Sequence, residues 1–161
     1  GGESYNSNNT EEVLNSYSDV TRGLQDFTSK HSILQANPVT NPGVGLTYDK
    51  VHSSVNTAVA ELTPLFRTKF PSAVLNIESA FRDKKLNADA GGHEHSGHLK
   101  GMAIDISNVT NLTGNRHADL REVYDFLMSD AMKDWREKHN ISLVDEIKSK
   151  NHIHIGFGGE L

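Results

Sequence analysis

Two stretches of the chain carry side chains whose types and spacing suit a divalent metal. Close to the C-terminal end, His152-Ile153-His154-Ile155 alternates imidazole with isoleucine. On a strand that alternation puts both imidazoles on one face, ~6.5–7 Å apart at a rise of ~3.3 Å per residue, with Ile153, Ile155 and Phe157 on the other. Such a pair can reach one metal ion together, or one ring can bind it while the other faces substrate. Two solvated histidines on an exposed strand edge would show the same pattern. The second stretch is Ser96-Gly97-His98-Leu99-Lys100-Gly101-Met102-Ala103-Ile104-Asp105. His98 belongs to a loop and Asp105 to a strand, Gly101 lets the backbone turn between them, and Ala103 keeps the same face uncrowded. Asp105 stands between Ile104 and Ile106, and a carboxylate in apolar company is costly unless it is paired or bound to metal. Zinc accepts nitrogen and oxygen donors of this kind, and a catalytic zinc keeps three protein ligands and one position open to water.

The composition narrows the choice of donors. The chain has no cysteine, so disulfides, thiolate metal sites and a cysteine nucleophile are excluded. Nine histidines remain, and their positions matter more than their number. The net charge of −5 comes from 16 basic and 21 acidic residues with the signs interspersed. No basic run is present of the kind that neutralises phosphates, which argues against a nucleic-acid partner. A length of 161 residues with 35% hydrophobic residues suits one compact domain and an additional helix or tail. No stretch is long and apolar enough for membrane insertion. No signal peptide is visible, and the opening Gly1-Gly2 reads as a tag remnant or an excised boundary, so the native address is not readable there.

The elements that must position the two stretches are legible from periodicity. Residues 1–9 are rich in Gly, Ser and Asn. From Thr10, an N-cap followed by Glu11 and Glu12, the spacing of Val13, Tyr17, Val20, Leu24 and Phe27 predicts a helix. Residues 37–45 (NPVTNPGVG) read as a linker, which divides the chain into an N-terminal tail, helix and linker at 1–45 and a domain at 46–161. Val51, Val55, Val59, Leu62 and Phe66 predict a helix over 48–67, with Pro64 kinking it or ending its regular part. Alternation predicts strands over 73–81 and 102–107. A third helix is expected over 118–139, with Leu120, Val123, Leu127 and Trp135 facing the core. The chain closes with a hairpin of 141–147 and 152–157, joined by Lys148-Ser149-Lys150-Asn151. Helices and strands mix without βαβ regularity, so the expected class is α+β with a small antiparallel sheet flanked by helices.

At this point a family resemblance becomes visible. SGHLKGMAID resembles the S-x-H-x-x-G-x-A-x-D motif of the zinc D-Ala-D-Ala peptidases and their relatives, among them phage L-alanyl-D-glutamate endopeptidases and the hedgehog signalling domain. KSKNHIHIGF resembles the H-x-H strand of the same group, and LNIESAFR the strand ending in S-x-(aromatic)-R that precedes the first ligand. The order of these elements also fits, and the resemblance covers roughly residues 46–158. It implies the hedgehog/DD-peptidase fold, with His98, Asp105 and His154 as zinc ligands. It further implies that His152 lines the site and steadies the oxyanion. Arg82 would bind a substrate carboxylate or carbonyl, a task its planar fork suits, and Ser96 would lie at the substrate.

The chain departs from the pattern at the general base. Hydrolysis at a metal needs a group that takes a proton from the attacking water. The peptidases carry an acid three residues before the last ligand, and here that residue is Asn151. Hedgehog-like domains carry a Glu six before it, and here that residue is Lys148. Glu146 is the nearest substitute: it shares strand parity with His152 and His154 but stands two residues too far along, a gap of ~6–7 Å. A bulge or tightened turn would have to bring it in. The loop Gly91-Gly92-His93-Glu94-His95 is not an HExxH element and reads as a solvated histidine loop. His31, His52, His117 and His139 are expected at the surface. The function expected is a zinc-dependent peptidase cutting a stem or cross-link peptide of peptidoglycan, in a bacterial envelope or a phage virion or lysis system. The alternative is an inactive zinc-bearing binding or structural module.

Overall fold

The computed structural model describes residues 33–36, 53–80, 84–89, 91–93 and 95–160. The expected helix from Thr10, the linker at 37–45, Val51, His31, His52, Glu94 and Arg82 lie outside them. In chain order the elements are β1 (Leu34–Ala36), α1 (Ser53–Lys69), β2 (Val74–Ser79), α2 (Lys84–Asp89), β3 (Ala103–Thr110), α3 (Arg116–Met128), α4 (Lys133–Lys138), β4 (Ser142–Glu146), α5 (Ile147–Lys150) and β5 (His152–Gly156). The class is α+β, as the mixture of periodicities implies.

The five strands form one sheet in the order β1-β2-β3-β5-β4. The pairs β2/β3, β3/β5 and β4/β5 are antiparallel. The short β1 pairs parallel to β2, with Leu34 opposite Leu75, and this edge strand falls within the 1–45 stretch. Three residues are too few to show an alternation, so it left no mark in the sequence pattern. Ile33 and Leu34 are nonetheless buried.

One face of the sheet supplies Leu75, Ile77, Ile104, Ile106, Ile153 and Ile155 to the core. Val55, Val59, Leu62 and Phe66 of α1 and Leu120, Val123 and Leu127 of α3 complete it, in agreement with the stripes read from spacing. Pro64 does not end α1, which runs on to Lys69. Pro64 is exposed, so the helical hydrogen bond that its missing N–H forgoes is lost on the solvated face, where water can replace it.

The third helix is two helices. α3 stops at Met128, Ser129 takes an extended conformation, and a 3-10 turn at Asp130–Met132 leads into α4. No Pro or Gly marks the break. It is held by Arg136, whose Nη1 donates to the carbonyls of Leu127 (2.5 Å) and Ser129 (2.8 Å) and so satisfies the end of α3. The start of α3 is equally specific. Asn115 caps it through Ala118 N at 3.1 Å, and the buried Asp119 accepts from Thr113 N, Thr113 Oγ1 and Gly114 N. His117 is exposed as expected. His139 is not a free surface residue: its ring is mostly covered, 2.6 Å from Glu61 and tilted against the Trp135 ring.

Candidate metal centre and cleft

The sheet register assembles the centre. Asp105 on β3 is the direct cross-strand partner of His154 on β5, and opposed residues on antiparallel strands point to the same face. The face opposite to Ile104, Ile106, Ile153 and Ile155 therefore carries a carboxylate beside an imidazole. Asp105 Oδ1 lies 2.9 Å from His154 Nδ1.

His98 arrives from outside the sheet. It belongs to a one-turn 3-10 helix, Gly97–Lys100, capped by Ser96 Oγ, which accepts from His98 N at 3.2 Å. Gly101 ends the turn in the left-handed region, at φ 65°, where a side chain would be strained. The chain then enters β3 with His98 folded back over it, and His98 Nε2 stands 3.2 Å from Asp105 Oδ2. Ser96, expected at the substrate, is thus the cap of the ligand-bearing turn, and it also lines the cleft.

His98, Asp105 and His154 offer donor atoms that all lie within 4.8 Å of one another. A tetrahedral zinc with bonds of ~2.0–2.1 Å separates its donors by ~3.3 Å, and the 3.2 and 2.9 Å contacts match that spacing. The electrostatics point the same way. His98 Nδ1 lies 2.5 Å from the carbonyl of Ala80 and must carry the proton there. Nε2 is thereby the ring atom that faces the Asp105 carboxylate: it donates to the carboxylate when it carries a proton and is the atom available to a shared cation when that proton leaves. A histidine whose far nitrogen is tied to a backbone carbonyl is the usual support of a metal ligand. His98 and Asp105 are each only 2% exposed. Burial opposes the charge on Asp105, but hydrogen bonding with His154 and His98 and the fields of the neighbouring imidazoles outweigh it. The carboxyl is held well below the usual carboxylate range. The three residues therefore fit a metal ion.

Beside this trio lies Glu146. The expected gap of two residues is closed by the hairpin itself. Residues 147–150 coil into the single turn α5, and Asn151 reverses the chain at φ 59°. Glu146 thereby becomes the cross-strand partner of His152, with its Oε1 3.0 Å from His152 Nε2 and its Oε2 3.1 Å from Lys150 Nζ. Its partial burial opposes ionisation, but His152 and Lys150 outweigh this and lower its pKa, so the carboxylate is held in the proton-accepting form.

Asn151 is turned the other way. Its side chain meets His117 Nε2 and its carbonyl accepts from Arg116 Nη2. The residue three before the last ligand thus serves the turn and does not face the cleft.

The trio, Glu146 and His152 open on a cleft of about 530 Å3. Its rim includes His93, His95, Lys150 and the exposed Val144. The histidine loop is tethered to the fold, because the buried Asn87 donates to the carbonyl of His93 at 2.7 Å. Glu78 is a contributor that sequence reading did not single out. The β2/β3 register jumps between Ile77 and Ser79, so Glu78 is the extra residue of a bulge. A bulge re-aims a side chain, and here the Glu78 carboxylate stands 3.9 Å from His152 Nδ1.

The family model of Peptidase M15 matches residues 45–156. No curated protein and no solved structure matches the chain.

Proposed function

Because the chain belongs to the Peptidase M15 family, a family of metallopeptidases, we propose that it is a zinc peptidase that cuts a stem or cross-link peptide of peptidoglycan. The observation that carries this reading is the convergence of His98, Asp105 and His154 at the floor of an open cleft, with a carboxylate beside them. In the proposed scheme those three side chains hold zinc. Zinc bound there supplies Lewis acidity toward the scissile carbonyl and toward water.

The remaining steps belong to the chain's own residues. Ionised Glu146 takes the proton of the attacking water at Oε1 and returns it to the departing amine. His152, 9% exposed and hydrogen-bonded to Glu146, positions that carboxylate and, with its own ring proton, offers an N–H to the developing oxyanion, while the proton taken from water stays with Glu146 for the leaving amine. The rim cations and imidazoles, with Ser96, orient a peptide that carries carboxylates, and Arg82 is assigned the same task through the family resemblance. The setting that suits this activity is a bacterial envelope or a phage virion or lysis system. Among the described residues no helix is long and apolar enough to cross a membrane.

A non-catalytic zinc-bearing module is the competing reading, and Asn151 and Lys148 at the usual base positions favour it. The position of Glu146 in the cleft favours the enzyme. Incubation of the purified chain with peptidoglycan separates the two. The enzyme reading expects new amino termini, abolished by a chelator and restored by zinc. A chain that binds one zinc per molecule and releases no amine on any peptidoglycan chemotype would establish the module instead.

A further inference from the structure

The cleft contains a second convergence of metal donors that the proposed mechanism does not use as such. Asp105, Glu146 and His152 also bring one donor atom each within 4.8 Å of the others. His152 Nε2 lies between two carboxylate oxygens, 3.0 Å from Glu146 Oε1 and 3.7 Å from Asp105 Oδ1. Its opposite nitrogen, Nδ1, faces Glu78 Oε2 at 3.9 Å. At that distance the carboxylate is an electrostatic neighbour that favours the proton on Nδ1, which leaves Nε2 as the atom available to a cation that displaces its hydrogen bond with Glu146. His98 has the tighter form of this support, a hydrogen bond between Nδ1 and the Ala80 carbonyl. Asp105 can serve both groups, since a carboxylate has two oxygens with about four acceptor positions between them. Its Oδ2 is directed at His98, whereas its Oδ1 lies within reach of both His154 and His152.

We propose that Asp105, Glu146 and His152 form a second divalent-cation site that shares Asp105 with the first, and that zinc entering it switches the enzyme off. This inference rests on the reading of His98, Asp105 and His154 as ligands of the first zinc. The second ion binds more weakly, because two dications ~4 Å apart repel strongly and only one additional carboxylate, Glu146, offsets the added charge. Its occupancy blocks turnover for a simple reason: a Glu146 oxygen that coordinates a cation cannot accept a proton, and a metal-bound His152 cannot donate to an oxyanion. The cleft is open to solvent, so an ion can reach this site while the first remains bound.

The test is a calorimetric titration of the metal-stripped full chain with zinc, alongside cobalt titrations followed by electron paramagnetic resonance. Two equivalents per chain are expected, the second weaker. The second cobalt should attenuate the signal of the first through coupling across Asp105. Glu146→Gln, which preserves side-chain size, should lose the second equivalent and keep the first. Glu78→Gln should weaken the second ~10–100-fold and leave the first unchanged. With the parent protein, peptidoglycan hydrolysis should fall as zinc exceeds one equivalent. A single equivalent in the parent, or a second one undiminished in Glu146→Gln, overturns this inference and leaves the first site standing. A folded parent that binds no zinc at all overturns the proposed function itself.

Discussion

Replacing Glu146 with glutamine should separate chemistry from metal binding. Glutamine keeps the length and planarity of the side chain, so its contacts with β5 can persist. What it loses is the charge beside His152 and Lys150 and the capacity to accept a proton. General-base catalysis is worth ~10²–10⁴ in rate, which at ~1.4 kcal/mol per decade is ~3–5.5 kcal/mol of transition-state stabilisation. The loss should fall on kcat, because the substrate contacts at the rim are untouched. Stability should change by less than ~1 kcal/mol, since the partner Lys150 is 60% exposed and such pairs are weak. The first zinc equivalent should bind as before, because Glu146 is not one of its ligands. The assay is steady-state release of amine from a defined stem peptide, with zinc content measured on the same sample. A Glu146→Gln protein with kcat close to the parent's would refute the assignment of the base, whatever the geometry.

Three further outcomes follow from named contacts. Asn151→Asp should leave kcat within a few-fold of the parent, because the side chain at that position faces His117 and not the cleft; a large gain would show that the turn rearranges. Asp119→Ala should destabilise the fold by ~3–5 kcal/mol in urea denaturation, since three donors of Thr113 and Gly114 lose a buried carboxylate; a loss below ~1 kcal/mol would mean that water replaces it. Trp135→Phe should cost ~1–3 kcal/mol by circular dichroism, because the indole N–H donates to the Ala58 carbonyl at 2.8 Å in the core, and an unchanged midpoint would contradict that.

The legible part of this protein was the part that strand parity controls. The alternation of His152, Ile153, His154 and Ile155 placed imidazoles and isoleucines on opposite faces, and the position of Asp105 among isoleucines put it on the imidazole face. The register then set Asp105 opposite His154. What parity cannot show is the path of the chain between strands. Glu146 looked two residues too far along when distance was counted along the strand. The one-turn helix α5 and the left-handed Asn151 made Glu146 and His152 direct neighbours. The bulge that aims Glu78 at His152 and the capture of the Asn151 side chain by His117 are likewise long-range results without a local signature. The break between α3 and α4 depends on Arg136 reaching back to Leu127 and Ser129, a tertiary contact that helical periodicity passes over.

The central claim is that two imidazoles and one carboxylate converge on a single ion. Zinc-edge X-ray absorption of the protein loaded with one equivalent tests it most directly. The expected first shell has two imidazole nitrogens and one carboxylate oxygen, with a further light donor that exchanges with solvent, and the signal should collapse in His98→Ala. A first shell of three or more imidazoles, or one unchanged in His98→Ala, would contradict it by placing the ion elsewhere.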